Sequence, residues 1–251
     1  MLFKSLLFAS TASATCLHGL SMFKRAAGSE NGTVEVNTFG YGPENGPFNW
    51  ASLAPENEAC RTGTNQSPIN IDASIGAASA RPVVDIPDQS VEFENLGTTI
   101  EVIVNGTTSF AGTDFRLVQF HMHTPSEHHI NDEFYPLEVH MVHQGVLDNT
   151  KLAVIALMFQ TTIGDGLDFS SVINKVATSD ILQYSGSLTT PPCAEGVTFL
   201  IVKDPLDIGV ADFNAIKSIV KFNSRFIQNT IGGENILEIG ANSGSVLNAT
   251  K

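Results

Sequence analysis

Positive charge is scarce in this 251-residue chain: 13 lysines and arginines stand against 26 aspartates and glutamates, a formal net charge of −13. The few cations are scattered, so no basic face exists to grip a phosphate backbone, and nucleic acid is excluded as a partner. The acid surplus also argues against binding to anionic membranes. Long apolar runs are missing too. Beyond the N-terminus no stretch approaches the roughly 20 apolar residues that span a bilayer. The C-terminal Gly244-Ser245-Val246-Leu247-Asn248-Ala249-Thr250-Lys251 is too polar for a lipid-anchor signal. There are no internal repeats, no low-complexity block and no linker after residue 35. Regular strand–helix alternation is also absent, which argues against a parallel, doubly wound architecture.

The N-terminus carries a targeting pattern. Lys4 precedes the apolar Leu6-Leu7-Phe8-Ala9, and residues 11–15 are small, as at signal cleavage sites. A frayed amphipathic stretch would share this composition. Lys24-Arg25 reads as a dibasic processing site. The expectation is a secreted, extracellular protein that loses residues 1–25 as signal peptide and possible propeptide. That removal deletes three cations and no acid, leaving 10 against 26, or about −16. Cysteine is limited to three. Cys16 lies in the leader, and Cys60 and Cys193 remain as an even pair that fits a disulfide or two buried thiols. Glycosylation sequons at Asn31, Asn105 and Asn248 agree with export, as does a poorer one at Asn65, which is followed by Pro68.

Short β patterns dominate the rest. Strands are expected over residues 90–93, 99–104, 115–123, 136–143, 152–159 and 199–202, with turn signals at Asn95, Gly97 and Asn105-Gly106. Residues 152–159 form a near-continuous apolar run, as in a strand covered on both faces. Two helices are expected, one capped by Asp168 and reaching Val176, the other started by Asp212 and reaching Val220. The fold class is therefore mainly β. A single domain over residues 36–240 is expected, built on a large, mostly antiparallel twisted sheet with short peripheral helices, and followed by a polar tail at 241–251.

Once His18 leaves with the leader, all six remaining histidines fall between positions 121 and 143. Strand alternation places Gln119, His121 and His123 on one face and turns Phe120 and Met122 to the other. Glu138, His140 and Val142 share a face in the same way. A polar loop holding Pro125 and Pro136 can return the chain antiparallel, so three imidazoles can converge. Three neutral nitrogen ligands with one open position are the donor set of catalytic zinc. Gln119 and Glu138 each lie two residues before a histidine, placed to hold its second ring nitrogen. A polar core network without metal would use the same residues.

Further motifs accompany these blocks: Tyr41-Gly42-Pro43-Glu44-Asn45-Gly46-Pro47 with Trp50, Gln66-Ser67-Pro68-Ile69-Asn70-Ile71, Ser126-Glu127-His128, and Gly186-Ser187-Leu188-Thr189-Thr190-Pro191-Pro192. Taken in order with the 119–123 and 138–140 blocks, they make the chain resemble the α-class carbonic anhydrases from about residue 39 to 228. The resemblance implies a zinc lyase that hydrates carbon dioxide to bicarbonate, with Zn2+ on His121, His123 and His140. In this family such a zinc brings the pKa of its water to about 7. The resemblance also implies that Thr189 orients the nucleophile and passes its proton to Glu127, and that Tyr41 joins the water network. Val142, Val154, Leu188, Thr190 and Val197 would form the substrate wall. Cys60 and Cys193 would form a disulfide tethering the Thr189 loop, while His128 and His143 would be structural.

Two positions depart from the family pattern. Thr98 stands where a proton-shuttling histidine is common, and Phe199 stands where the wall usually has tryptophan. Glu101, expected as an exposed rim carboxylate, and His129 are the nearby alternatives to a shuttle. Two other functions share parts of the pattern. A cupin-type oxygenase would use Glu127 as a ligand but needs a second motif that is missing. A binding protein on the same scaffold would usually have lost a zinc histidine.

Overall fold

A computed structural model of the chain describes residues 36–164 and 169–248. The leader at 1–25, the sequon at Asn31, the cap at Asp168 and residues 249–251 lie outside the described residues. Two short helices, α1 (Trp50–Leu53) and α2 (Ala59–Thr62), precede the first strands. The strands are β1 (Asn70–Ile71), β2 (Val83–Asp85), β3 (Glu92–Asn95), β4 (Ile100–Phe110), β5 (Thr113–His123), β6 (His129–Ile130), β7 (Leu137–Gly145), β8 (Leu152–Thr162), β9 (Ile181–Ser187) and β10 (Glu195–Gly209). Helix α3 (Phe169–Thr178) lies between β8 and β9. Helices α4 (Val210–Val220) and α5 (Ile236–Asn248) follow β10.

The large sheet runs β2-β4-β5-β7-β8-β10-β9, with β3 also on β4. Its pairings are antiparallel except one: β10 runs parallel to β8, with Val197 opposite Leu152 and Val202 opposite Leu157. The small β1–β6 pair is parallel as well. The mainly β expectation therefore holds, and the sheet is mixed.

Both sides of the sheet are covered, which explains the unbroken apolar run of β8. Ala153, Ile155, Leu157 and Phe159 join one buried cluster with Leu117, Val139 and Met141. Val154, Ala156 and Met158 join another with Val142, Leu188, Val197 and Phe199. Each fully buried Leu, Ile or Phe contributes about 1.5–3 kcal/mol. The functional side chains therefore sit on a rigid frame.

Two helices differ from expectation. α4 begins at Val210, so Asp212 lies in its first turn and does not cap it. α5 crosses the expected boundary at 240. Its start is capped by Asn235, whose Oδ1 accepts the Leu237 N–H at 2.9 Å, and Glu238 pairs with Arg61 at 2.6 Å. This cap and tether make a helix of a segment whose composition reads as a tail.

Candidate metal centre

In the β5–β7 ladder His121 stands opposite His140, and His123 stands opposite Glu138. One nitrogen from each of His121, His123 and His140 lies within 4.8 Å of the others, and all three rings are buried. Strand alternation alone would put Leu117 on this face too. The register shifts between Leu117 and Gln119, however: Leu117 faces His143, while Gln119 faces Val142. This bulge turns Leu117 into the opposite core and leaves Gln119, His121 and His123 together. Phe120 and Met122 pack against that opposite core, as alternation requires.

Each ring is held from behind. His121 Nδ1–H donates to Gln119 Oε1 at 2.9 Å. His140 Nε2–H donates to Glu138 Oε1 at 2.6 Å. His123 Nδ1–H donates to the Asn223 carbonyl at 3.0 Å. The remaining nitrogens, His121 Nε2, His123 Nε2 and His140 Nδ1, are then lone-pair donors. His123 Nε2 is buried without a hydrogen-bond partner.

The electrostatics prepare two of these rings for a cation. Burial, followed by the neighbouring rings His123 and His140, holds His121 well below the usual imidazole pKa. Burial also lowers His123, against the pull of Glu127. His140 differs: burial lowers it, but the charge and hydrogen bond of Glu138, joined by the charge of Glu127, raise it overall. Burial would raise the Glu138 carboxyl, but His128 and His140, by charge and by hydrogen bonding, hold it well below the usual carboxylate range. Glu138 Oε2 also accepts the backbone N–H groups of Glu127 at 2.7 Å and His128 at 2.8 Å.

The Thr189 loop closes over this centre. Val142, Val154, Leu188, Thr189, Thr190 and Phe199 line a small enclosed pocket with His121 and His140. Val197 lies in the same apolar cluster, outside that lining. Cys60 and Cys193 form a disulfide, and Gln66 Nε2–H donates to the Cys193 carbonyl at 3.0 Å. Ser67 and Ser187 exchange two hydrogen bonds, at 2.9 and 3.0 Å.

Glu127 borders the triad, its Oε1 3.4 Å from His123 Nδ1 and its Oε2 4.0 Å from His140 Nδ1. Its Oε1 accepts the Arg225 N–H at 3.0 Å, and Oε2 is buried with no hydrogen-bond partner. The Thr189-to-Glu127 hydrogen bond implied by the resemblance is therefore not formed. Nor does Glu127 join the group of converging donor atoms, as the cupin alternative requires. Tyr41 lines a broad apolar groove of about 1150 Å³ with Phe48, Phe134, Phe222 and Phe226, and is not in the enclosed pocket. His129 also faces that groove.

Glu101 corrects the expectation of an exposed rim carboxylate. It is 1% exposed and pairs directly across from His121, because β4 adds to β5 in that register. His128 and His143 are buried and outside the triad. His128 bridges Glu138 Oε1 at 2.7 Å and the Tyr184 hydroxyl at 2.6 Å.

Asn223 and Arg225 carry much of the support and were not singled out from sequence. Asn223 Nδ2–H donates to the carbonyls of Thr98 at 3.0 Å and Met122 at 2.8 Å. The Arg225 guanidinium reaches the carbonyls of Ser67 at 2.7 Å and Cys60 at 3.1 Å. Burial brings its pKa down to about 10, against the opposing pull of Glu127, so it stays charged at neutral pH. Only a polar residue pair flanking Ser224 hinted at this in the sequence.

The sequence matches the profile of the eukaryotic-type carbonic anhydrase family over residues 45–180 and 160–233. A carbonic anhydrase of Klebsiella pneumoniae is 32% identical over 203 residues, covering 71% of this chain and 82% of that protein. The fungal α-carbonic anhydrase structure from Aspergillus oryzae is 36% identical with a TM-score of 0.76, covering 82% of this chain and 99% of that one. Dioscorin DB3L of Dioscorea polystachya is 31% identical over 205 residues, covering 69% of this chain and 74% of that protein.

Proposed function

Because the chain belongs to the eukaryotic-type carbonic anhydrase family, we propose that it hydrates carbon dioxide reversibly to bicarbonate and a proton, with zinc held by His121, His123 and His140. The observation that carries this reading is the convergence of three buried imidazoles whose rear nitrogens are all engaged by protein acceptors. The orphaned His123 Nε2 supports a fit to metal, since an unsatisfied buried polar atom costs about 1–3 kcal/mol. Three imidazoles suit zinc better than magnesium or calcium, which take oxygen ligands. Bound there, zinc would supply the Lewis acidity that makes an oxygen nucleophile available at neutral pH.

The protein's own groups do the rest. Gln119, Glu138 and the Asn223 carbonyl fix each ring in the tautomer whose free nitrogen faces the centre. Thr189 orients the attacking oxygen and would donate its own hydroxyl hydrogen bond to Glu127 Oε2, the carboxylate oxygen that has no partner in the structure. Val142, Val154 and Leu188 form an apolar wall for carbon dioxide, with Val197 packed behind them and Thr190 on the polar side. Tyr41 acts from outside this pocket, on the water network.

Export belongs to the same proposal. It is supported by the leader pattern and by the buried disulfide; among the described residues no helix is long and apolar enough to cross a membrane. A binding protein on this scaffold is the weaker reading, because the sequence retains the three histidines, Thr189 and Glu127.

The test is stopped-flow carbon dioxide hydration with and without chelator, beside metal analysis of the wild type and His121→Ala. Stoichiometric zinc, hydration that chelation abolishes, and loss of most metal and activity in His121→Ala are expected. Hydration that survives complete chelation, or full zinc in His121→Ala, would overturn the ligand assignment.

A further inference from the structure

We propose that Asn105 carries an N-linked glycan and that this glycan covers a break in the outer edge of the sheet. The inference rests on the export reading above, because glycan transfer needs passage through the secretory pathway. Four sequons occur in the sequence, and the structure separates two of them. Asn65 is half-buried, and its side chain is drawn to Glu195 Oε2 at 3.3 Å. The hydroxyl that its sequon needs belongs to Ser67, which is fully buried and bonded to Tyr184 at 2.7 Å. Asn31 and part of the Asn248 sequon lie outside the described residues.

Asn105 has the opposite character. Asn105 and Thr107 are both exposed, on either side of the buried Gly106. The Asn105 backbone is fully engaged: its N–H donates to Gln89 Oε1 at 2.9 Å, and its carbonyl accepts from Gln89 Nε2 at 2.6 Å. Among the described residues its side-chain amide has no hydrogen bond to surrender. A bulge in β4, where the register jumps between Ile103 and Gly106, sets the residue out of the regular ladder.

The location gives the glycan a task. Asn105 lies between the two short strands that pair with the outer side of β4: β2 reaches only Thr107, and β3 only Ile103. Exposed apolar side chains lie on these short strands, Val83 in β2 at 67% and Phe93 in β3 at 63% of full exposure, with Val91 just before β3 at 49%. Short apolar edge strands are templates for pairing with other chains unless something covers them. A bulky, hydrated sugar at Asn105 would do so.

Expression of the full chain in a eukaryotic secretory host tests both parts. Protein from the medium is treated with peptide N-glycosidase in heavy-oxygen water and mapped by mass spectrometry. Asn105 should appear as labelled aspartate in most molecules. Asn105→Gln and Thr107→Ala should each lose the same glycan without loss of carbon dioxide hydration. Secreted protein with a bare Asn105 would overturn this proposal alone. Unglycosylated full chain retained in the cytosol would overturn the export reading with it. In sedimentation velocity the deglycosylated protein should self-associate more; unchanged association would overturn the covering role.

Discussion

His140 and His143 lie on the same strand, both buried, and the protein treats them in opposite ways. His140 faces the metal centre, and Glu138 raises its pKa against burial. His143 faces the opposite core across from Leu117, and burial brings it down to about 4. Its Nδ1–H donates to a backbone carbonyl, that of Met141, at 2.9 Å. Burial alone makes a histidine a neutral core residue. A carboxylate behind the ring, on a face with two more rings, makes it a candidate ligand. A strand side chain faces one way or the other, so two imidazoles three positions apart can serve different ends.

The largest effect expected from breaking this contrast is at Glu138. Its two oxygens accept four N–H donors: two backbone groups and the rings of His128 and His140. Glu138→Gln replaces one acceptor oxygen with a donor group, so at least one N–H meets another. About 3–5 kcal/mol of stability should be lost, with metal affinity about 10–100-fold weaker. Denaturant unfolding and metal titration would measure both, and a near-neutral result would break the comparison.

Across the ladder, Leu117→Ala should cost about 2–5 kcal/mol and leave metal content unchanged, because the bulge turns that position away from the centre. Loss of metal at moderate destabilisation would mean that the two faces are not independent.

The third expectation concerns acid. The His143 pKa of about 4 in the folded protein lies below its ordinary 6.5. Between those values the unfolded chain takes up a proton that the folded chain refuses, so stability falls as pH drops, by about 1.4 kcal/mol per pH unit. The full penalty is reached below the folded pKa. His143→Gln should remove this part of the slope in unfolding measured from pH 7 to 4.

The smallest effect is at Thr98, whose hydroxyl accepts from Asn37 Nδ2 at 2.6 Å and does not titrate. Without a group matched to the working pH, proton release should depend on buffer. Raising imidazole buffer should increase kcat with little change in kcat/KM, and Thr98→His should increase kcat in dilute buffer. A kcat that is high and flat across buffer concentration would point to another relay.

Much of the centre was legible in sequence because strands have a period of two. That period placed Gln119, His121 and His123 on one face and Glu138 with His140 on another, and both groupings stand in the structure. The same rule gave no warning at Leu117, because a one-residue bulge reverses the face without a reliable residue signal. Glu101 was misjudged for a related reason. Its burial depends on β4 pairing with β5 in a register that places it opposite His121. The parallel pairing of β10 with β8 was likewise invisible, since each strand's apolar pattern permits either direction.

Local chemistry thus determined the mainly β class, the histidine set and two of its rear partners, because those follow from spacings of two residues. The tertiary structure alone decided the third rear partner, the Asn223 carbonyl, and the Arg225 strut joining the carbonyls of Ser67 and Cys60 to Glu127. Asn223 is 100 positions from the histidine it holds. A backbone carbonyl carries no residue signature, and a contact over that separation exists only once the chain has closed on itself.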